Sequence, residues 1–282
     1  MIIVKLKGGL GNQMFQYAAA RGVTDKTIYL DLTFFERNNQ TTEAFTARSY
    51  ELAIFDHLNA KKLNGLIARV LSHTGRFTFL KKVIPKRWNN FTILNDNNPV
   101  EVDDKGNYIF DGYFQNEDIF LKNVSSVKKA FTFPKLSGSA ISIADEIFSK
   151  HNPVAIHVRR GDYLNLSISQ HHPVLSVDYY KKGITELNKK LENVFFYIFS
   201  DDPVWCKSAF GFLTTNYKII KETNTDWEAI HLMSICKHNI IANSSFSWWG
   251  AWLNNNPEKI VIAPDNWFPT LPNPASKTWL KI

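Results

Sequence analysis

Residues 153–163 read Pro153-Val154-Ala155-Ile156-His157-Val158-Arg159-Arg160-Gly161-Asp162-Tyr163. A short apolar run, Val154–Val158, gives way at once to two arginines, a glycine and an aspartate. Continuous apolar runs of this length suit strands of a parallel sheet covered on both faces. Side chains alternate along a strand, so Arg159 and Arg160 cannot point the same way while it continues. If the strand ends there and Gly161 turns the chain, both guanidiniums converge on one spot. Arginine suits an anion clamp, because its planar fork makes paired hydrogen bonds and keeps its charge. The plainer alternative is a surface Arg–Asp pair at a strand end.

The same rhythm continues outward. Apolar runs recur at Val194–Phe199, Lys218–Ile220, Asn239–Ala242 and Ile260–Ala263, and helical spacing lies between them at Val177–Leu191, Pro203–Leu213, Asp226–Cys236 and Phe246–Leu253. Alternating strands and helices build βαβ units. Ser176 or Asp178 can cap one helix, and Asp202-Pro203 puts proline in the first turn of the next. The first half opens alike, with strand Ile2–Leu6, a glycine turn, helix Gln13–Val23 and strand Thr27–Leu32. Residues 36–105 are less regular, with weak helical patterns at 57–71. A strand at Tyr108–Phe114 then precedes a helix-like stretch over 116–131. The Pro/Gly/Ser-rich segment Phe133–Ser139 is the expected linker, dividing 1–135 from 140–282.

In open α/β sheets ligands bind beyond the carboxyl ends of the strands. The residues that follow the strands of the second half are Arg159–Asp162, Ser200-Asp201-Asp202, 222–226 and Asn243-Ser244-Ser245, whereas the segments entering those strands are ordinary. Polar loops are common everywhere, so the pattern carries only part of its face value. Asn243-Ser244-Ser245 opens the helix Phe246–Leu253. A serine there is first of all a cap, yet a helix N-terminus also offers free N–H donors and partial positive charge to a phosphate. Trp248, Trp249 and Trp252, at 3–4 spacing, read as core.

Gly8-Gly9-Leu10-Gly11-Asn12-Gln13 lies between a strand and a helix, with Asp31 20 residues after Gly11. Met14 stands where a dinucleotide fingerprint has its third small residue, and no Gly-Lys-Ser/Thr closes a P-loop. What the loop offers is close approach of backbone to a ligand at Gly9 and Gly11, with the amides of Asn12 and Gln13 as donors. A tight turn with positive φ is the alternative.

Composition narrows the partners. The 282 residues are 44% hydrophobic with net charge +7, which allows a large core and favours an anionic partner. The lysines are scattered, without the basic stripe and stacking groups of a nucleic-acid binder. Cys206 and Cys236 form no disulfide framework and are expected as buried thiols. Asp201-Asp202 and Asp103-Asp104 are adjacent rather than ligand-spaced, so no metal is expected. No run approaches the roughly 18 apolar residues of a membrane span. A cytoplasmic protein is expected, with peripheral contact at the inner face of a membrane left open.

Three stretches, "GGLGNQMFQYA" from Gly8, "HVRRGDY" from His157 and "CKHNIIANSSFSWWGAWL" over 236–253, resemble the bacterial α-1,2-fucosyltransferases of glycosyltransferase family 11. The arginine motif is shared with α-1,6- and protein O-fucosyltransferases. The resemblance implies an α/β, GT-B-like fold of two Rossmann-like domains facing across a cleft, the acceptor mainly on the first and the nucleotide on the second. It implies a GDP-β-L-fucose donor, inversion without metal or cofactor, and the 2-OH of a terminal galactose in a surface glycan as acceptor. Carried over by position, Arg159, Arg160, Ser244 and Ser245 match diphosphate-binding residues, His157 a residue meeting guanine, and Asn12 the asparagine of the N-terminal loop. Asp162 is expected to orient a guanidinium. Gly9, Gly11, Gln13, Ser200, Asp201 and Asn243 join the donor-binding candidates. Relatives place an aspartate before the "LMS" segment, where this chain offers Asp226 or Glu228. His172 and Tyr163 are candidates for acceptor contact or general base, His172 because imidazole titrates near neutrality. Transfer from another purine nucleotide sugar and non-catalytic glycan binding are the competing readings.

Overall fold

The computed structural model describes residues 1–42, 46–65, 91–98, 100–103, 105–165, 169–170, 173–220, 223 and 225–282. The chain divides into two compact units, Met1–Pro134 and Lys135–Ile282.

The first unit carries strands β1 (Ile2–Lys5), β2 (Ile28–Asp31), β3 (Ala60–Lys62), β4 (Thr92–Leu94) and β5 (Tyr108–Phe110). They form one sheet in the order β3-β2-β1-β5-β4, with every pairing parallel. Helix α1 (Leu10–Val23) crosses from β1 to β2, and all but Asn12 and Val23 of its residues are buried. The described residues of this unit also form short helices α2 (Thr33–Arg37) and α3 (Val124–Ala130). Phe15 and Tyr17 of α1 pack on Phe120 and Phe131 at ring separations of 6.3 and 5.7 Å.

Several expectations are corrected here. The described part of 57–71 contains β3, an exposed strand whose Ala-Lys-Lys lacks the alternation that marks strands. The strand expected to reach Phe114 stops at Phe110, and Phe114 takes a left-handed φ of +52°. The stretch 116–131 breaks into two 3₁₀ turns, Glu117–Ile119 and Leu121–Asn123, before α3 begins.

The second unit begins with α4 (Ser139–Ser149), which the sequence pattern did not single out. Then come β6 (Asn152–Val158), α5 (Val177–Asn188), β7 (Val194–Ser200), α6 (Pro203–Ala209), β8 (Tyr217–Ile220), α7 (Asp226–Ile235), β9 (His238–Ile240), α8 (Ser245–Trp252), β10 (Val261–Ala263) and β11 (Leu280–Lys281). The sheet order is β11-β10-β9-β6-β7-β8, again all parallel. Counted within the unit this is 6-5-4-1-2-3, the doubly wound order that reverses between β6 and β9. Every residue of β6 is buried. Val154, Ile156 and Val158 face Tyr180, Ile184 and Leu187 of α5 and Cys206 of α6, so His157 lies on the opposite face. Both cysteines are buried thiols, and burial pushes Cys206 up to about 11. Trp248, Trp249 and Trp252 are core, with Trp248 stacked on Trp252 at 5.9 Å.

Candidate functional site

Register explains why the arginines meet aspartates. β6 and β7 run in parallel with Val158 opposite Ser200 as the last rung, so Arg159-Arg160 and Asp201-Asp202 leave the sheet side by side. Arg159 Nη2 pairs with Asp162 Oδ1 at 2.7 Å, and Nη1 with Asp201 Oδ2 at 3.0 Å. Its guanidinium also lies 5.6 Å from the centre of the Tyr163 ring. Burial alone would lower the Arg159 pKa, but Asp201 and Asp162 outweigh it and raise it. Arg160 donates from Nε to Asp202 Oδ2 at 3.2 Å, and its guanidinium lies 4.1 Å from the centre of the Trp205 ring. Gly161 permits this convergence, because a Cβ there would lie 2.7 Å from Asp201 Oδ2. Asp162 therefore orients a guanidinium, as its position suggested.

The carboxylates behave differently from the sequence-based expectation. Asp201 was expected to bind donor, yet its Oδ1 accepts from the Arg160 N–H at 2.9 Å while Oδ2 holds Arg159. Asp201 thus holds the arginine segment in place. Asp202 caps α6 by accepting from Trp205 N at 3.0 Å. Ser200 Oγ accepts from Asp202 N at 2.9 Å and fixes the turn. Among the described residues no three His, Cys, Asp or Glu side chains cluster so as to hold a metal ion.

Across the switch point lies the end of β9. Ser244 caps α8 by accepting from Phe246 N at 3.3 Å, and Ser245 is the first residue of that helix. Asn243 donates from Nδ2 to Pro173 O at 2.9 Å and is nearly fully buried, with Oδ1 lacking a partner among the described residues. Its Nδ2 is thus architectural, and Oδ1 is the atom left for a ligand. Tyr163 is corrected: its phenol is buried and donates to Asn243 O at 3.1 Å, tying the arginine loop to the β9 loop. A phenol held in this way is not placed as a general base. His172, with its neighbour His171, lies outside the described residues.

His157 is buried, its ring 5.5 Å from that of Phe246, and its Nδ1 has no partner among the described residues. Burial first, and the Arg159 charge second, lower its pKa to about 3. His238 is likewise lowered to about 4, by burial and then Lys237. Both rings are therefore neutral in the folded chain where an ordinary imidazole, at 6.5, would be half charged. Between these values the unfolded chain binds more protons, so stability is fully present above about pH 6.5 and falls as pH drops toward 4. Melting curves from pH 7.5 to 4.5 should show this decline. His238→Asn should flatten it, since the asparagine oxygen can still accept from Ile260 N in place of Nδ1.

Glu228, in the first turn of α7, is also buried. Its Oε1 accepts from Ser137 N and Oγ at 3.2 and 2.9 Å, and its Oε2 has no partner among the described residues. Asp226, the other acidic candidate, is exposed.

In the first unit the glycine loop divides into architecture and one open side chain. The positive φ is at Gly8, +77°. Helix α1 starts at Leu10, earlier than expected, so the amides of Asn12 and Gln13 donate to Gly9 O at 3.0 and 3.1 Å and are not free for ligand. The Gln13 side chain is fully buried and fully used, donating to Gly8 O and Ser49 O and accepting from Glu51 N. Gln13 is thus a brace and not a ligand group. Gly11 is buried within α1. Asn12 is half-exposed, as are Gly8 and Gly9, and its Oδ1 accepts from Gln115 Nε2 at 2.9 Å. Sequence reasoning missed Gln115 and Trp205. Neither stands in a recognisable spacing, and only their neighbours in space give them meaning.

The sequence profile of glycosyl transferase family 11 matches residues 1–271. The chain is 31% identical to the O-antigen biosynthesis glycosyltransferase WbnK of Escherichia coli, covering 93% of each chain. It is also 31% identical to an alpha-1,2-colitosyltransferase of Escherichia coli, over 100% of this chain and 99% of the relative. The solved fucosyltransferase NodZ from Bradyrhizobium is 13% identical, with a TM-score of 0.48 over 88% of this chain and 90% of NodZ. Its two wholly parallel α/β sheets, the arginine pair at a switch point and a profile match over nearly its whole length show that this chain belongs to glycosyl transferase family 11.

Proposed function

We propose that the chain transfers L-fucose, with inversion, from GDP-β-L-fucose to the 2-OH of a terminal galactose in a bacterial surface glycan. The observation that carries this reading is that Arg159-Arg160 and the Ser244–Ser245 start of α8 follow the neighbouring parallel strands β6 and β9 at one carboxyl edge, on the two sides of one switch point. Arginine forks and a helix N-terminus both favour a diphosphate, and both stabilise charge that grows as the bond to the sugar breaks. Asp201 and Asp202 already hold arginines, which supports a reaction in which the arginines, and no divalent ion or cofactor, neutralise the departing GDP. The buried, partnerless Glu228 Oε2 and His157 Nδ1 suit the N–H edge and ring acceptors of guanine. The first unit would carry most of the acceptor contacts. The reading places the reaction in the cytoplasm, at the inner membrane face when the acceptor is lipid-borne. Among the described residues no helix is long and apolar enough to cross a membrane.

The full-length similarity to a colitosyltransferase favours a second donor, GDP-colitose, in which the sugar lacks the 3-hydroxyl of fucose. The test incubates purified chain and galactose-terminated acceptors with either donor, with and without excess chelator. The expected result is an α-1,2-fucosylated product at an undiminished rate in chelator. Product from GDP-colitose alone would reassign the donor. Loss in chelator, restored by Mg²⁺ or Mn²⁺, would overturn the metal-independent reading of Asp201 and Asp202.

A further inference from the structure

The loop that leaves β5 emerges where the first sheet reverses its strand order, beside the loop that leaves β1. It is held in a costly conformation. Phe114 is buried with φ +52°, a region bulky L side chains avoid. Asp96 fixes it, its Oδ1 accepting from Tyr113 N at 3.0 Å and Phe114 N at 2.6 Å. Gly112 leaves room for that carboxylate, since a Cβ would lie 2.9 Å from it. The conformation delivers the next side chain, Gln115, to Asn12, with Gln115 Nε2 donating to Asn12 Oδ1 at 2.9 Å. Asn12 in turn sits over Gly8, where a Cβ would lie 2.6 Å from Asn12 Nδ2.

One amide–amide hydrogen bond leaves each partner half used. Among the described residues Asn12 Nδ2 keeps its donors and Gln115 Oε1 its acceptor capacity, on adjoining half-buried side chains. The pair is neutral, and Lys5 and Lys7 both lie on Asp111, at 2.8 and 3.7 Å. A phosphate would meet an acceptor it cannot use, and a cation would meet no carboxylate left open by those lysines. A ligand with two neighbouring hydroxyls fits, because one can accept while the other donates. We infer that the Asn12–Gln115 amide pair binds two adjacent hydroxyls of a sugar, Asn12 Nδ2 donating to one and Gln115 Oε1 accepting from the other. Gln115 is then a specificity-determining residue. The inference rests on the sugar-transfer reading above, and the hydroxyls belong either to the transferred sugar or to the acceptor galactose.

The test is a deoxy-sugar scan on wild type, Gln115→Ala and the near-isosteric Gln115→Met, with rates measured against each monodeoxy galactoside and against GDP-fucose and its 3-deoxy counterpart. Both variants should lose kcat/KM on the order of 10-fold with intact sugars, the scale of one or two lost neutral hydrogen bonds. Removing the matched hydroxyl should cost wild type a similar factor and cost the variants little, because the partner is already gone. Whether the deoxygenated position lies on donor or acceptor identifies the sugar. A variant loss that is equal for every intact and deoxy sugar would overturn the pair and leave Gln115 as packing. Saturation-transfer spectra of methyl β-galactoside and methyl α-L-fucoside, recorded on the same samples, separate this inference from the donor assignment. A Gln115-dependent signal in a chain inactive with GDP-fucose refutes the donor and keeps the pair, whereas no Gln115-dependent signal with either sugar refutes the pair.

Discussion

Arg160→Ala is expected to lower fucosyl transfer about 100- to 1,000-fold, the range seen when a charged or oriented donor to the transition state is lost. The geometry singles out this arginine for the effect. Both Nη atoms of Arg159 are bound by Asp162 and Asp201, whereas among the described residues Arg160 is held through Nε and by its guanidinium lying over Trp205. Its two Nη atoms make no ion pair with the described residues, and the Asp202 and Trp205 contacts fix their direction. Arg160→Lys should recover little, because a single ammonium reproduces neither the fork nor the planar contact with Trp205. Folding should change little: a partly exposed ion pair and a cation–π contact are each worth about 1 kcal/mol or less. Paired measurements of kcat/KM and thermal midpoint decide it. Near-normal turnover in Arg160→Ala would refute the clamp.

The sheet of the second unit was legible because its central strands, β6 and β7, are buried on both faces and so read as unbroken apolar runs. The same reading put Arg159, Asp201, Asn243 and Ser244 on one edge without any knowledge of their partners. What it could not supply was register. Val158 opposite Ser200 turns Asp201 from a candidate ligand into a holder of arginines, and no single strand's pattern contains that pairing. The edge strands β3, β4 and β11 escaped notice for a related reason. Three-residue and two-residue strands with exposed side chains have too little alternation to detect. The glycine loop misled in another way. Gln13 looked like a ligand group because a polar residue after glycines at a strand end suggests one. Its burial against Gly8, Ser49 and Glu51 depends on contacts some 36 residues away in sequence. The pairing of Asn12 with Gln115, 103 residues apart, could not be read from local sequence at all.

Asp201 gives the second large effect, and it distinguishes holding an arginine from touching the donor. Asp201→Ala frees Arg159 Nη1 and the Arg160 N–H together. The Arg159 guanidinium then keeps only Asp162, and the backbone that carries Arg160 loses its tether; a displacement of about 1 Å at such a site costs on the order of 100-fold in rate. Asp201→Asn should fall between wild type and alanine, because its amide oxygen can still accept from Arg160 N while the Arg159 ion pair is lost. Stability should hardly move, since the Arg159–Asp201 pair is about a quarter exposed on each side and such pairs contribute about 1 kcal/mol or less. The loss should appear in kcat: an arginine that still carries its charge can attract the diphosphate but no longer meets the departing oxygen in register. A carboxylate in direct contact with donor predicts the reverse, a raised donor KM with kcat little changed. Combination sharpens the contrast. If Asp201 works through Arg159, Asp201→Ala added to Arg159→Ala should cost much less than the product of the single losses, leaving only the share carried by the Arg160 N–H. Multiplying losses, with donor KM rising in each single variant, would instead put Asp201 on the nucleotide sugar itself.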